Sequence, residues 1–549
     1  MRHILSLIFF LTPLLSINSQ NTVGTILNTD QALNGYTLFA PLISTETYLI
    51  NNCGEIVNQW SSSYTPAASV YLLENGDLLR TCKIPNNDIN FDGIGGRIEK
   101  YDWDNNLIWS YEYTSSTYSL HHDIYPLPSG NILMLAVTVV NENDAIQMGR
   151  DPSTISEGKI YNEQIIEVEP VGTNSGNIVW EWNITDHLIQ DFDSTKDNFG
   201  IVSDNPQLLN FNYIGISENE ARWLHMNSLQ YNEDLDQIII SSRMLSELYI
   251  IDHSTSTAEA AGHSGGIYGK GGDFLYRWGN PIAYNQGTES DQQLFQQHKP
   301  HWIPDNLIDG GKIMIFNNGY SRSPSYSQLF IIDPPMDSPG VYSYTADTAY
   351  GPSSPDYIYQ DPVDPINFYS PIVSSGQRLS NGNILICEGV SGYFFEIDAN
   401  DTIVWEYISP VTSSGILSQG DNSDAPEVNN IVFRAEKFAP DYPAFTGRDL
   451  TPGVPVELDP IPGNCELVSV AEEPVYKASV FPNPVKDFLS VNSERPLQKI
   501  EIYSFMGKLI KSDAENNRIN LVELSDGVYY VKIFFSKGFV TKKIIKMSH

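Results

Sequence analysis

Three things are scarce in this chain: cysteine, positive charge and long apolar runs. Four cysteines (Cys53, Cys82, Cys387, Cys465) stand in 549 residues and no two form a CxxC, so neither a zinc ribbon nor a thiol redox motif is present. Outside a reducing compartment the four allow three connectivities, and spacing does not choose among them. Lys and Arg number 31 against 67 Asp and Glu. That balance argues against nucleic acid or an anionic membrane as the main partner. One apolar run is conspicuous, Ile4 to Leu15, and it is too short to span a bilayer. Preceded by Met1-Arg2-His3 and followed by small polar residues, it reads as a signal peptide (1–19), cleaved near Ser19. The mature protein is therefore expected to be exported and soluble, with no stable membrane insertion.

What the chain has in plenty is Tyr, Asn, Gly and Pro, which favour strands and turns over helices. A two-part pattern recurs. An inner hairpin turns on Gly, as in YLLENGDLLR, PLPSGNILML and RLSNGNILIC. Outer, aromatic-rich strands follow, as in GRIEKYDWDNNLIWSYEY and YFFEIDANDTIVWEY, with less regular pairs such as QLFIIDPP and GVYSY. A repeating four-stranded unit of this size predicts β-propeller blades. Six begin near Gly35, Ser69, His122, His225, His298 and Ser374, and Ile431 to Phe438 is expected to supply a strand that closes the ring. The expected fold is all-β: a six-bladed β-propeller over 20–440, a Pro- and Gly-rich linker over 441–475 and a small β-sandwich over 476–549. The last segment carries 12 basic and 7 acidic residues, a net of +5, which leaves −41 on the remainder. Such a step marks two separately evolved domains.

The stretch ARWLHMNSLQYNEDLDQIIISSR, Ala221 to Arg243, predicts a hairpin whose ends bring His225 beside Arg243. Alone this is a surface pair. Aligned on their inner turns, however, the blades put His122, His225 and His298 at the start of three successive innermost strands, which converge at one end of a propeller channel. His121 replaces His122 if the strand slips by one residue. Asp123 points to the opposite face, and no carboxylate triad accompanies the histidines. A three-His zinc site is the rival reading. Arg243 and Lys299 would repel a cation, and with neutral imidazoles they suit a sulfate or phosphate ester instead. His is itself a possible covalent nucleophile. Ser374 is the candidate hydroxyl of the sixth blade. The run AGHSGGIYGKGGD lacks the spacing of a Walker loop and is expected to be a surface loop, with His253 and His263 as bystanders.

LHHDIYPLPSGN, WLHMNSLQYNEDLDQIIISSR, FQQHKPHW, SSGQRLSNGNILIC and VFRAEKF resemble the cofactor-independent arylsulfotransferase family over roughly Gly35 to Thr451. The resemblance implies transfer of a sulfuryl group from an aryl sulfate to a phenol, with His298 as the covalent carrier. It also implies His122, His225 and Arg243 as sulfate-binding groups, assisted by Asn227, and no cofactor or metal. FPNPVKDFLSV, IEIYSFMGKLI, LSDGVYYVKI and the terminal KKIIK resemble the C-terminal sorting domain of type IX secretion substrates. That implies passage through the type IX machinery to the cell surface or medium. Two other readings of the cluster stay open: a non-enzymatic propeller binding a sulfated glycan or protein, and a sulfatase or phosphoesterase.

Overall fold

The computed structural model describes residues 21–86, 88–216, 220–423, 428–461, 465, 478–493, 496–504, 508–514, 517–535 and 538–547. The leader and part of the linker lie outside them. The chain divides into two compact units, Met1–Val468 and Ser469–His549.

The first unit is built from six antiparallel sheets of four or five strands. Their innermost strands are Pro66–Leu72, Tyr118–Pro126, Met226–Asn232, His298–Trp302, Ser375–Arg378 and Val432–Phe438. Each lies against the next and the last against the first, so the ring is closed and propeller-like. The closure is made twice. Val432–Phe438, late in the chain, pairs with Tyr36–Pro41 as the innermost strand of the first sheet, as its β-rich composition suggests. Gly24–Asn28 pairs with Ile403–Ile408 on the outside of the sixth sheet, a strand the repeat pattern does not reveal. Both ends of the ring are thereby pinned to other sheets, which removes an exposed edge.

The aromatic outer strands pack between sheets. The Trp182, Trp405 and Trp60 rings are fully buried, and their indole N–H groups donate to the carbonyls of Gly272, Asn52 and Asp102. Buried indoles need such an acceptor. In the fifth sheet the outermost strand is Tyr357–Tyr359, whereas Val341–Tyr342 pairs with Met336–Ser338 in a separate hairpin, a correction to the sequence pattern. The expected linker also begins later than composition suggests. Ala444, Phe445 and Val456 are buried, and Cys465 is bonded to Cys53. Cys82 and Cys387 are free and buried.

The second unit has a three-stranded and a four-stranded sheet around one core that includes Leu489, Ile502, Val531 and Ile544. Gly527–Phe535 buries every second residue, the period-2 signature read from its sequence. Among the described residues no helix is long and apolar enough to cross a membrane.

Candidate functional site

Three inner strands carry a β-bulge near their start, where the register slips opposite Met134–Ala136, at Met226–Ser228 and at His298–His301. His122 (φ 46°) and His225 (φ 49°) adopt left-handed backbone there, which costs roughly 1–3 kcal/mol per residue and re-aims the side chain. The result is a cavity of about 400 Å³ at one end of the channel, lined by His122, His225, Arg243 and His298. The hairpin geometry holds: Met226 pairs with Ser242, and the Arg243 N–H donates to the His225 carbonyl at 3.2 Å. Leu42, Ile94, Val373, Ile431 and Phe433 supply apolar wall, enough to seat an aromatic ring.

His298 is the most tightly specified group. Its Nδ1 lies 2.7 Å from Asn318 Oδ1. Asn318 Nδ2 donates to the carbonyls of Ser370 (2.7 Å) and Val373 (3.0 Å), so the amide cannot flip and its oxygen must face the ring. The proton therefore sits on Nδ1, and Nε2 keeps its lone pair, accepting from the Val373 N–H at 3.2 Å. Burial and then the Arg243 guanidinium hold this imidazole down to about 3, against Asn318 and the Gln296 backbone. His122 and His225 are likewise well below the ordinary histidine value, first through burial and then through neighbouring rings and Arg243. All three are neutral at physiological pH.

Behind His122 stands His121, Nδ1 to Nδ1 at 3.0 Å, and His121 Nε2 lies 2.9 Å from Glu163 Oε2. Two imidazoles meeting in this way share a single hydrogen. The Glu163 contact is close but poorly aligned, so it acts as an electrostatic pull on the His121 hydrogen rather than as a formed hydrogen bond. The other Glu163 oxygen accepts from the Met226 N–H at 2.9 Å, tying the third sheet to the fourth beside the cavity. Phe91 stacks on His225 at 5.3 Å, and Gly93 presses so close to His122 that an added Cβ would come within 2.4 Å of Nε2. His225 Nδ1 is buried without a partner, and so is Arg243 Nε. Among the described residues Arg243 has no carboxylate partner, since Asp92 at the cavity wall is engaged by Arg222. Burial lowers the Arg243 pKa from its usual value. A half-buried cation without an ion-pair partner among the described residues, beside an orphaned imidazole nitrogen, suits an anion.

Three expected contributors are placed elsewhere. Lys299, left-handed at φ 49°, lines the separate cavity at the other end of the channel, 3.7 Å from Glu436, with its ammonium lowered to about 8 by burial and Arg434. The bulge that points His298 one way sends Lys299 the other. Ser374 Oγ is consumed within its own loop, donating to Ser370 Oγ at 2.9 Å and accepting from the Gly389 N–H at 3.0 Å. Asn227 is fully buried, and its amide donates to the Gln297 carbonyl at 2.8 Å, holding the strand of His298 rather than facing the cavity. Asp123 faces away, bonded to Arg434 and Tyr71. Asn318, Glu163 and Phe91 were not visible in sequence because they come from loops and outer strands. The Asn317-Asn318-Gly319 at the end of the strand Ile313–Asn317 resembles any turn.

An all-β ring with a neutral-imidazole and guanidinium cavity defines a protein that handles an anionic ester. The chain belongs to the arylsulfotransferase (ASST) family, whose model matches residues 29–432, and a secretion system C-terminal sorting domain matches residues 479–547. It is thus a sulfotransferase-type enzyme whose sorting domain directs it to the secretion machinery and to the cell surface or medium. No curated protein matches the chain. Among solved structures, a Bacteroides caccae protein of unknown function is 10% identical, covering 74% of this chain and 99% of its own, with a TM-score of 0.37. The Pseudomonas aeruginosa periplasmic gluconolactonase PpgL is 10% identical over 74% and 99%, with a TM-score of 0.35. At TM-scores this low neither bears on what the chain does.

Proposed function

We propose that the protein transfers a sulfuryl group from an aryl sulfate to a phenol in two steps through a covalent intermediate on His298 Nε2. The observation that carries this reading is the fixed tautomer: Asn318 keeps the proton on Nδ1, so a neutral, unprotonated Nε2 faces the cavity that holds Arg243. In the first step the Nε2 lone pair attacks sulfur, the N–S bond forms, and the S–O bond to the aryl oxygen breaks with its electron pair leaving as phenolate. Charge spreads over the three sulfuryl oxygens, so donors aimed at them matter more than acid strength. Arg243 supplies two or more N–H donors. The Val373 N–H, which loses its Nε2 acceptor when sulfur is bonded, is placed to donate to a sulfuryl oxygen.

In the second step a phenol attacks sulfur, the N–S bond breaks, and the phenolic proton must leave. His122 is the base for it. Glu163 draws the His121 hydrogen to Nε2, His122 then donates through Nδ1 to His121, and the His122 Nε2 lone pair against Gly93 is left to accept. That proton goes on to water, and the phenolate released in the first step takes one up from water, so the two steps balance. His225, with its orphaned Nδ1, orients the sulfate. Asn227 positions the His298 strand, and Lys299 and Ser374 have no direct part.

The test is the His298→Asn variant given a chromogenic aryl sulfate alone. Wild type is expected to release one equivalent of phenol in a burst and to carry a sulfuryl label on His298. The variant should give neither, with an unchanged thermal unfolding profile. Near-normal transfer by His298→Asn would overturn the reading, and turnover without any phenol acceptor would identify a sulfatase.

A further inference from the structure

Away from the cavity, on the outer edges of the third and fourth sheets, three side chains converge without a role in the chemistry above. His187 follows the short helical turn Ile184–Asp186 after the outermost strand of the third sheet, Ser175–Asn183. His263 and Asp273 belong to the glycine-rich run between two strands of the fourth sheet, Glu247–Asp252 and Tyr276–Trp278. The Nδ1 atoms of His187 and His263 each lie 2.8 Å from the same oxygen, Asp273 Oδ1. His187 is fully buried, Asp273 nearly so, and the His263 ring is 62% exposed.

The hydrogen positions make this cluster incomplete as it stands. His187 Nε2 lies 2.8 Å from the Ala260 carbonyl, which can only accept, so Nε2 carries the hydrogen. A neutral ring then directs the Nδ1 lone pair at a carboxylate oxygen. His263 Nδ1 is aimed at that same atom. His263 can relieve its contact as the neutral Nδ1–H tautomer, but His187, whose Nε2–H is committed to Ala260, can do so only as a fully buried imidazolium. A single divalent cation relieves them together, because the three ligand atoms already lie within 4.8 Å of one another.

The surroundings are those of a ligand held in place. An imidazole that donates its second nitrogen to a backbone carbonyl has its orientation fixed for metal binding. His187 is further clamped by Trp182, stacked at 5.5 Å and nearly parallel, whose indole N–H donates to the Gly272 carbonyl. Gly272 admits the ring: a Cβ there would come within 2.5 Å of His187 Nε2.

We infer that His187, His263 and Asp273 form a binding site for a divalent transition-metal ion that ties the third sheet to the glycine-rich loop of the fourth. Two imidazole nitrogens and one carboxylate oxygen suit Zn²⁺ and its neighbours rather than Ca²⁺ or Mg²⁺. Bonds of roughly 2.0–2.1 Å in a tetrahedron set ligand atoms about 3.3 Å apart. The 2.8 Å contacts need open by only about half an ångström, and the exposed His263 is free to give it. The fourth position faces solvent and takes water. This site is independent of the transfer reaction and separate from the His298 cavity.

The full chain, stripped by chelator and desalted, should bind one equivalent of Zn²⁺ by calorimetry, with one zinc per chain by elemental analysis after dialysis. Its Tm should rise with zinc, since the ion binds only the folded chain. His263→Ala, on an exposed loop, and Asp273→Asn should weaken binding by more than about 100-fold, beyond what loss of an outer-shell partner costs. His225→Ala, which alters the other histidine cluster, should bind as wild type. Less than a tenth of an equivalent bound, or equal binding by His263→Ala and wild type, would overturn the proposal. So would loss of binding in His225→Ala alone, which would put the metal at the other cluster.

Discussion

Asn318→Ala is the sharpest probe of the proposed nucleophile, because it leaves His298 in place and removes only what chooses its tautomer. The Nδ1–H loses a 2.7 Å acceptor in a fully buried setting. A buried donor left unsatisfied costs about 1–3 kcal/mol. At roughly 1.4 kcal/mol per tenfold, that is the free energy by which the lock now favours the reactive tautomer, a factor of about 5 to 150. Without it the hydrogen is free to move to Nε2, and that fraction of the enzyme cannot attack sulfur. Rapid mixing of enzyme with excess chromogenic aryl sulfate and no acceptor reports the first step alone, as a burst of phenol. With the lock gone the two tautomers are left about equally populated, so the burst rate of Asn318→Ala should fall about twofold, while its amplitude stays at one equivalent and the donor concentration for half-maximal rate shifts less than about threefold. A merely structural role, through the bonds to Ser370 and Val373, would instead lower the amplitude or the Tm. A burst rate equal to that of wild type in a normally stable variant would refute the tautomer argument.

Three further outcomes are expected. Arg243→Met should slow the first step by about 10²–10³-fold, the usual cost of losing a donor to developing charge. Its Tm should not fall, because the half-buried guanidinium has no ion-pair partner among the described residues to lose, and a fall in both would mean that Arg243 is structural. Glu163→Gln can keep the bond to the Met226 N–H but removes the charge behind His121. Transfer to phenol should slow about 10- to 100-fold with the burst unchanged, and equal slowing of both steps would contradict the assignment of His122 as base. Stability should fall with acid. His298 and His301 are held at about 3 and His122 and His225 well below 6.5, so below that pH the unfolded chain takes up protons that the folded chain refuses. Each such ring removes about 1.4 kcal/mol per pH unit. His253, which burial lowers but Asp236 and Glu167 raise to about 9, has the opposite sign: its contribution is full below about 6.5 and is lost progressively as pH climbs from there to about 9. The slope of unfolding free energy near pH 5 should flatten by about 1.4 kcal/mol per pH unit in His298→Asn, and an unchanged slope would show that His298 is protonated in the native state.

The ring of sheets was legible because blade architecture repeats, and repetition survives degenerate spelling. Turns on Gly76, Gly130 and Gly382, all left-handed, and alternating outer strands recur often enough to set the register of most blades. The histidine cluster was legible for the same reason: aligned blades put His122, His225 and His298 in one place, and the three line one cavity. What sequence could not supply was direction within a bulge. His298 and Lys299 are adjacent, and only the local backbone decides that one enters the cavity and the other leaves it. Nor could it supply partners from outside the repeat. Glu163 lies two strands out from His121, and Asn318 follows a strand whose pattern says only that a turn comes next. Cys53 and Cys465 pair across 412 residues, a distance at which spacing carries no information.

How an acidic protein captures an anion is a question of distance rather than of total charge. The chain before residue 476 carries a formal −41. One surface carboxylate about 20 Å from the bound sulfate repels it by about 0.2 kcal/mol in water, and salt with a screening length near 8 Å cuts that to about a tenth. Even forty such charges then oppose binding by less than about 1 kcal/mol. A guanidinium at about 4 Å, in a surface-like effective dielectric near 20, contributes about 4 kcal/mol of attraction. Arg243 meets that condition: it lines the cavity, no described carboxylate forms an ion pair with it, and the nearby Asp92, which attracts it at longer range, is already bonded to Arg222. The neutral imidazoles extend the same logic. A histidinium beside Arg243 would repel it, whereas a ring kept neutral by burial sits next to the cation and still offers a donor or a lone pair. On the proposed reading the cavity is positive where the sulfate's oxygens would come and uncharged where its sulfur would be attacked, whatever the sign of the surface around it.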